Sequence, residues 1–508
     1  MSHPPQSKAT SSVAQALAAN RLGVSPVVFM VMAAAAPLTV IAGGATTGWA
    51  VTGVIGIPVG YIAVALVLAI FSVGYVAMSR KVINSGAFYT YVTHGLGRPA
   101  GVGASFIAVL AYNAMQIGLY GGFGKVTADF VDAHTSWSTP WWLWAFIGWA
   151  VVGMLGVLRI DLNGKILGAL LIGEIAVALV LAGVHITHPA GGHINLTALS
   201  AISPSQLLTA GIGAVLVTAI TGFVGFEGTA VFSEESKDPQ KTVARATYIA
   251  LAIIGVLYSL CALAMTIAVG PDKIVAAATE HGTELIFDLA APYVPSSVLI
   301  LGHLLFITSL FAALLSFHNT VARYFFALGR EGVLPRMLAR TSVRSRSPKV
   351  ASITQTVIAA VVLFVYAYAG WDPMINLFFW ITVTGGLGVL VLMLATSIAV
   401  VGYFLRPANR DGVGVGRGLL APEVATAALG WILVVTLQQF HILLGVDAAS
   451  PWRYIFPGAF AVAGLLGVLW SLYLRTARPD VYAAIGAGAH RGLISGSQST
   501  QTTTAAGR

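Results

Sequence analysis

Residues 222–246 read GFVGFEGTAVFSEESKDPQKTVARA, and the fold of the whole chain turns on them. The run from Leu207 to Phe226 carries no charge and is 20 residues long. That length crosses the roughly 30 Å hydrocarbon core of a bilayer. The run then meets a carboxylate set between glycines, Gly225-Phe226-Glu227-Gly228. An ionisable group at membrane depth costs about 2.5–3.5 kcal/mol on insertion scales, so it marks a site. Glycine has no Cβ and lets a helix open, exposing backbone donors and acceptors. The charged continuation EESKDPQK then returns the chain to water.

Outward from this stretch the composition is that of a membrane protein. The 508 residues are 57% hydrophobic and 9% charged, with a mean hydropathy of +0.85. Soluble domains carry about 25% charged residues. The first 20 residues are polar and Ser/Ala-rich and have no apolar core of a signal peptide. The single cysteine, Cys261, lies in an apolar run, which excludes a disulfide or a cysteine-built metal site.

Apolar runs predict twelve membrane spans, at about 25–48, 52–79, 99–123, 140–158, 164–186, 206–232, 246–269, 295–326, 350–369, 374–404, 420–443 and 454–475. With the N-terminus in the cytoplasm, all of the 27 basic residues except Lys125, Lys273 and Arg453 fall on the inner side. This satisfies the positive-inside rule and places both termini in the cytoplasm of a cell with a plasma (inner) membrane. The net charge of +9 then reflects topology and anionic lipid, and calls for no nucleic-acid partner. Residues 1–20 and 476–508 read as disordered tails around one membrane domain, 21–475.

A second interrupted span lies at the other end of the pattern. Residues 37–48 read PLTVIAGGATTG, where Pro37 removes a ladder hydrogen bond and Gly43-Gly44 tolerate an opened backbone. The interrupted spans are the first and the sixth. They predict an all-α fold of two five-helix inverted repeats, about 25–186 and 206–404, plus two further helices at 420–475. The alternative is that these glycines and prolines only serve close helix packing. Half-helix N-termini suit a carboxylate and opened carbonyls suit an ammonium group. An α-amino acid offers both.

Three stretches carry a family resemblance. GFEGTAVFSEESKDPQKTVARA resembles the sixth-span signature of the amino acid–polyamine–organocation permeases. NSGAFYTY (84–91), followed by GLGRPAG, is similar to the entry into that family's third span. ARYFFALGREGVLP (322–335) is similar to the end of its eighth. The resemblance covers most of residues 20–475 and implies a permease with broken first and sixth helices.

The resemblance places substrate-binding residues at Ile41, Ala42, Gly43, Gly44 and Ala45, and at Phe223, Gly225, Phe226 and Glu227. Phe223 is either an aromatic lid or a core residue. Glu227 is either a proton carrier or a cap on the broken helix. Asn113 and Gln116 stand three apart in the apolar third span, as cavity lining or as interhelical hydrogen-bond partners. Phe317 stands where relatives place an aromatic substrate contact. The neighbouring His318 is a proton carrier or a satisfied core histidine. Glu174 lies in the fifth span, LLIGEIAVALV, where some proton-coupled relatives have a lysine. It competes with Glu227 for the proton, or pairs with Asn163 or Lys165. His185, His188 and His193 suggest a solvated outer loop and lack a fourth metal ligand. The run from Glu234 to Asp238 reads as a helix end that helps close an inner gate.

The expected function is secondary active transport of an amino acid or related amine, coupled to protons. No cofactor, no metal and no enzymatic centre is expected. The rival readings are exchange of one amine for another and a sensor that binds without transporting.

Overall fold

The computed structural model describes residues 22–82, 86–157, 160–194, 196–231, 236–342 and 347–488, without the side chains of residues 87, 160–167, 231, 239 and 240. The predicted tail 1–20, the part 489–508 of the predicted tail 476–508, the Glu234-Glu235 pair and the Asn163 and Lys165 side chains fall outside the described parts. Among the described residues the protein is all-helical. Eleven helical segments are long and apolar enough to span a bilayer, and a twelfth apolar helix of 16 residues is shorter.

The first span is interrupted. Helix α1 (Val24–Ala35) ends at Ala36, which adopts the left-handed region at φ 43°. Pro37 follows and has no N–H to give the carbonyl of Ala33. The chain resumes in a π-helical turn, Thr39–Ala45, and then α2 (Thr46–Thr52). The opening therefore lies at Ala36-Pro37, and Gly43-Gly44 sit within the wide turn beyond it. Four helices complete the first half's core: α3 (Ile57–Ser79), the short α4 (Ala87–Leu96), α5 (Arg98–His134) and α6 (Trp141–Gly156). Helix α7 (Ile160–Thr187) closes it. Helix α5 outruns its predicted limits because a Lys125–Asp129 pair at 2.6 Å carries it through a charged turn.

The sixth span is broken as well. A left-handed Gly211 (φ 90°) delays α8 to Ile212–Phe223. The backbone then unwinds before α9 (Gly228–Val231). Next come α10 (Pro239–Val269), the short α11 (Ile274–His281) and α12 (Leu285–Asp288), and the long α13 (Ser296–Glu331). They are followed by α14 (Lys349–Ala369), α15 (Trp380–Phe404) with its π-helical lead-in Pro373–Phe379, and α16 (Ala421–Gln438). The described residues end with α17 (Phe440–Leu444), α18 (Trp452–Ala477) and α19 (Pro479–Ala484), so residues 476–488 of the expected disordered tail are helix and turn packed on the bundle.

Helix α5 forms the axis of the molecule, packed on α6, α13, α15 and α18, while α1, α3 and α10 pack as a group beside it. The approach of α5 to the start of α15 requires Gly121, where a Cβ would stand 2.4 Å from the Pro373 carbonyl. The three histidines expected in a solvated outer loop divide. His185 is buried in the last turn of α7 and donates to the Ile286 carbonyl at 3.0 Å, and His188 stacks on Tyr293.

The segment after α18 folds back onto the end of α13. Buried Glu331 accepts the amides of Gly486 (2.9 Å) and Gly488 (3.1 Å) and the hydroxyl of Tyr89. Burial, then the adjacent Glu331 carboxylate, raises the Tyr89 hydroxyl well above the usual phenol range, so it stays a donor. Glu331→Ala orphans the Gly488 amide and the Tyr89 phenol, each worth about 1–3 kcal/mol when buried, and leaves the Gly486 amide only its 3.2 Å bond to Tyr89 Oη. Its expected result is a lower melting temperature and faster proteolytic release of residues beyond Ala484. An unchanged melting curve and cleavage rate would rule out this clamp.

Candidate functional site

Both helix breaks face one small cavity of about 50 Å³. Ala34 to Ala36, Thr39, Val40 and Gly44 line it from the first break, and Thr218, Thr221 and Gly222 from α8. Tyr61 of α3, Met115 and Leu119 of α5, and Ala313 and Phe317 of α13 close the sides. Phe378, Phe379, Thr382 and Val383 complete the wall. Of the sequence-predicted residues, Gly44 and Phe317 reach this lining.

The break in the sixth span is held by a buried carboxyl. In the sixth span, Gly225 has φ 118°, and a Cβ there would lie 2.7 Å from that of Ala34. The Glu227 side chain folds back on this turn. Its Oε2 accepts the Gly225 amide at 2.9 Å, and its Oε1 accepts the Tyr112 hydroxyl at 2.5 Å. Its own carbonyl accepts from Tyr75 at 2.7 Å. Glu227 thus satisfies orphan groups of the broken helix, and both its oxygens are occupied.

In the first span, Tyr258 donates to the Ala35 carbonyl at 2.5 Å. The Thr39 amide and hydroxyl reach Ser309 Oγ at 3.3 and 3.1 Å. Glu174 lies on α7, which packs against α1 and against α13, the helix that carries Ser309. It is 2% exposed, and its Oε2 has no hydrogen-bond partner among the described residues.

The other predicted residues scatter around the cavity. Ile41, Ala42 and Ala45 are buried in the wide turn, and a Cβ added at Gly43 would stand 3.1 Å from the Phe378 ring. Phe223 packs between Tyr61 and Tyr258, and Phe226 against Phe71. Asn113 donates to its own helix at Val109 and lines a separate apolar cavity of about 590 Å³ between α5, α13, α14, α15 and α18. Gln116 donates to Tyr120 and to His318 Nδ1, both at 3.2 Å, and accepts from Gln355. His318 Nε2 then donates to Ser352 at 2.7 Å. These four partners tie α5, α13 and α14 together, so Gln116 and His318 are joined to each other and stand outside the cavity lining.

Sequence reading missed Tyr61 and Thr218. Both residues line the cavity, and their hydroxyls are buried and have no partner among the described residues. The only signal for Tyr61 was a phenol within the apolar run IPVGYIAVALVLAIF.

Residues 22–460 match the family model described as amino acid permease. An uncharacterized transporter of Mycobacterium tuberculosis is 24% identical over 304 residues, covering 56% of this chain and 61% of that protein. A Mycobacterium bovis uncharacterized transporter shows the same identity and coverage. The chain thus spans about 61% of the length of these relatives. The vacuolar cationic amino acid transporter 4 of Arabidopsis thaliana is 27% identical over 218 residues, 41% of this chain and 32% of its own length.

Proposed function

Because this chain belongs to the amino acid permease family, we propose that it carries an amino acid or related amine across a membrane by alternating access, as a proton-coupled symporter. The observation that supports this most is the pair of helix breaks beside one cavity, with Glu227 capping the second break and a second buried carboxyl, Glu174, on α7 packed against α1. Opened backbone at membrane depth is tolerated where it lines a cavity, and broken helices are how transporters build such sites.

In this reading the first and sixth spans begin two five-helix inverted repeats, and the 16-residue α6 completes twelve crossings. Residues 21–475 form the membrane domain, and the basic residues face the cytoplasm and its anionic lipid at the plasma membrane. Glu174 carries the proton: a carboxyl with a free oxygen can take one up without losing a hydrogen bond.

Purified protein in liposomes tests this. A pH gradient, acid outside, is expected to drive accumulation of an amino acid above its external concentration, and dissipating the gradient abolishes it. Uptake that ignores the gradient and requires an amine trapped inside identifies an exchanger. Binding without any uptake identifies a sensor.

A further inference from the structure

The cavity wall contains no charged side chain. Its hydroxyls divide into two groups. Thr39 donates to Ser309, Thr221 to the Val217 carbonyl at 2.8 Å, and Thr382 to the carbonyls of Phe378 and Phe379. Those three are satisfied inside the protein. Tyr61 Oη and Thr218 Oγ1 are not, although Tyr61 is 1% and Thr218 4% exposed. A buried hydroxyl without a partner is unfavourable, and two of them on one cavity point to a partner that arrives from outside. Both are neutral donors, the type that can hold a carboxylate without a counter-charge.

The backbone offers the opposite chemistry. The Phe226 amide closes on the Phe223 carbonyl at 3.2 Å, so no amide is directed at the Gly222 carbonyl, and Gly222 lines the cavity. At the first break Pro37 has no N–H to give the carbonyl of Ala33, the neighbour of the lining residue Ala34. Both breaks therefore leave carbonyls near the cavity for an ammonium group. The remaining wall is apolar: Met115, Leu119, Ala313, Phe317, Phe378 and Val383. A cationic side chain would find no counter-charge here. Glu227 is engaged by Gly225 and Tyr112, Glu174 lies on α7, and neither lines the cavity. An acidic side chain would find no base.

Resting on the permease reading above, we infer that the substrate is a neutral α-amino acid with a compact apolar side chain, whose carboxylate is held by Tyr61 and Thr218. An unpaired charge in such a wall would be desolvated without compensation, which excludes lysine, arginine and glutamate.

The test is binding to the purified protein of L-alanine, L-valine, L-lysine, L-glutamate and L-alanine methyl ester, the last lacking the carboxylate. The neutral acids are expected to bind at least ten-fold more tightly than lysine or glutamate. Tyr61→Phe and Thr218→Val are each expected to weaken L-alanine about ten-fold, while the weak binding of the ester stays as it was. Tyr61→Phe keeps the ring between Phe223 and Tyr258, and an unchanged melting temperature shows that a loss is local. Lysine or glutamate binding as tightly as alanine overturns the inference and leaves the permease reading standing. So does wild-type affinity for L-alanine in both variants. Failure of every amino acid to bind, in a protein that melts cooperatively, overturns the permease reading and this inference with it.

Discussion

Gly225→Ala is expected to reduce uptake in proteoliposomes to below about one hundredth of the wild-type rate, with the protein still helical and membrane-inserted. At φ 118° any Cβ is strained, by about 1–2 kcal/mol in the left-handed region. The added methyl would also stand 2.7 Å from the Cβ of Ala34 and 3.4 Å from that residue's carbonyl carbon. Neither neighbour is the far end of a flexible side chain, so one of the two broken helices must move. The Gly225 turn and the end of α1 meet beside the cavity, and shifting one against the other displaces Ala34 and Gly222 in its wall. Close packing is felt at the level of a single methylene. Circular dichroism and expression separate this outcome from unfolding. Transport above half the wild-type rate would show that the junction is not the site.

The second large effect separates the two buried carboxyls. Glu174→Gln is expected to abolish accumulation driven by a pH gradient, by at least 100-fold, while exchange of labelled for unlabelled substrate continues. Glu227→Gln is expected to slow both processes together and leave the pH profile of the remaining transport where it was. The reason is hydrogen-bond inventory. An ionised carboxylate is an acceptor only, and Glu227 receives one donor on each oxygen. Protonating it weakens both oxygens as acceptors and adds an O–H that needs an acceptor of its own beside two donors. Glu174 has one oxygen without a donor, so a proton can reside there at no such cost. A proton cycle needs a group that is stable in both states. If Glu174→Gln still accumulates substrate against its gradient and Glu227→Gln does not, the two roles are reversed.

The sequence made the interruptions visible because Pro, Gly and a lone carboxylate stand out against an apolar background. It misplaced the first opening. Gly43 and Gly44 permit an opened backbone, but Pro37 compels one, and the break falls at Ala36-Pro37. Glu174 was recognised as a buried acid, yet the packing of α7 on α1 and α13 depends on helices distant in sequence, and a local pattern cannot supply that. The case of Asn113 and Gln116 is similar. Three positions on a helix leave two side chains about 60° apart. In a bundle that angle sends one toward the cavity beside α18 and the other to His318 and Gln355. The free hydroxyls of Tyr61 and Thr218 could not be read at all, since a missing partner is a property of the packed interior.

The clamp at Glu331 has a consequence for the order in which the molecule is completed. A chain emerges N-terminal end first, so α13 is in place while residues 486 and 488 are still to be made. Until they arrive, the Glu331 carboxylate and the phenol of Tyr89 have only each other. The two glycine amides then join the end of the chain to its first half through one carboxyl, and α4, α13 and the segment after α19 become a single unit. Without residues 486 and 488 the Glu331 carboxyl lacks two of its three hydrogen-bond donors, so completion of the α4–α13 junction waits on a segment about 155 residues further along the chain.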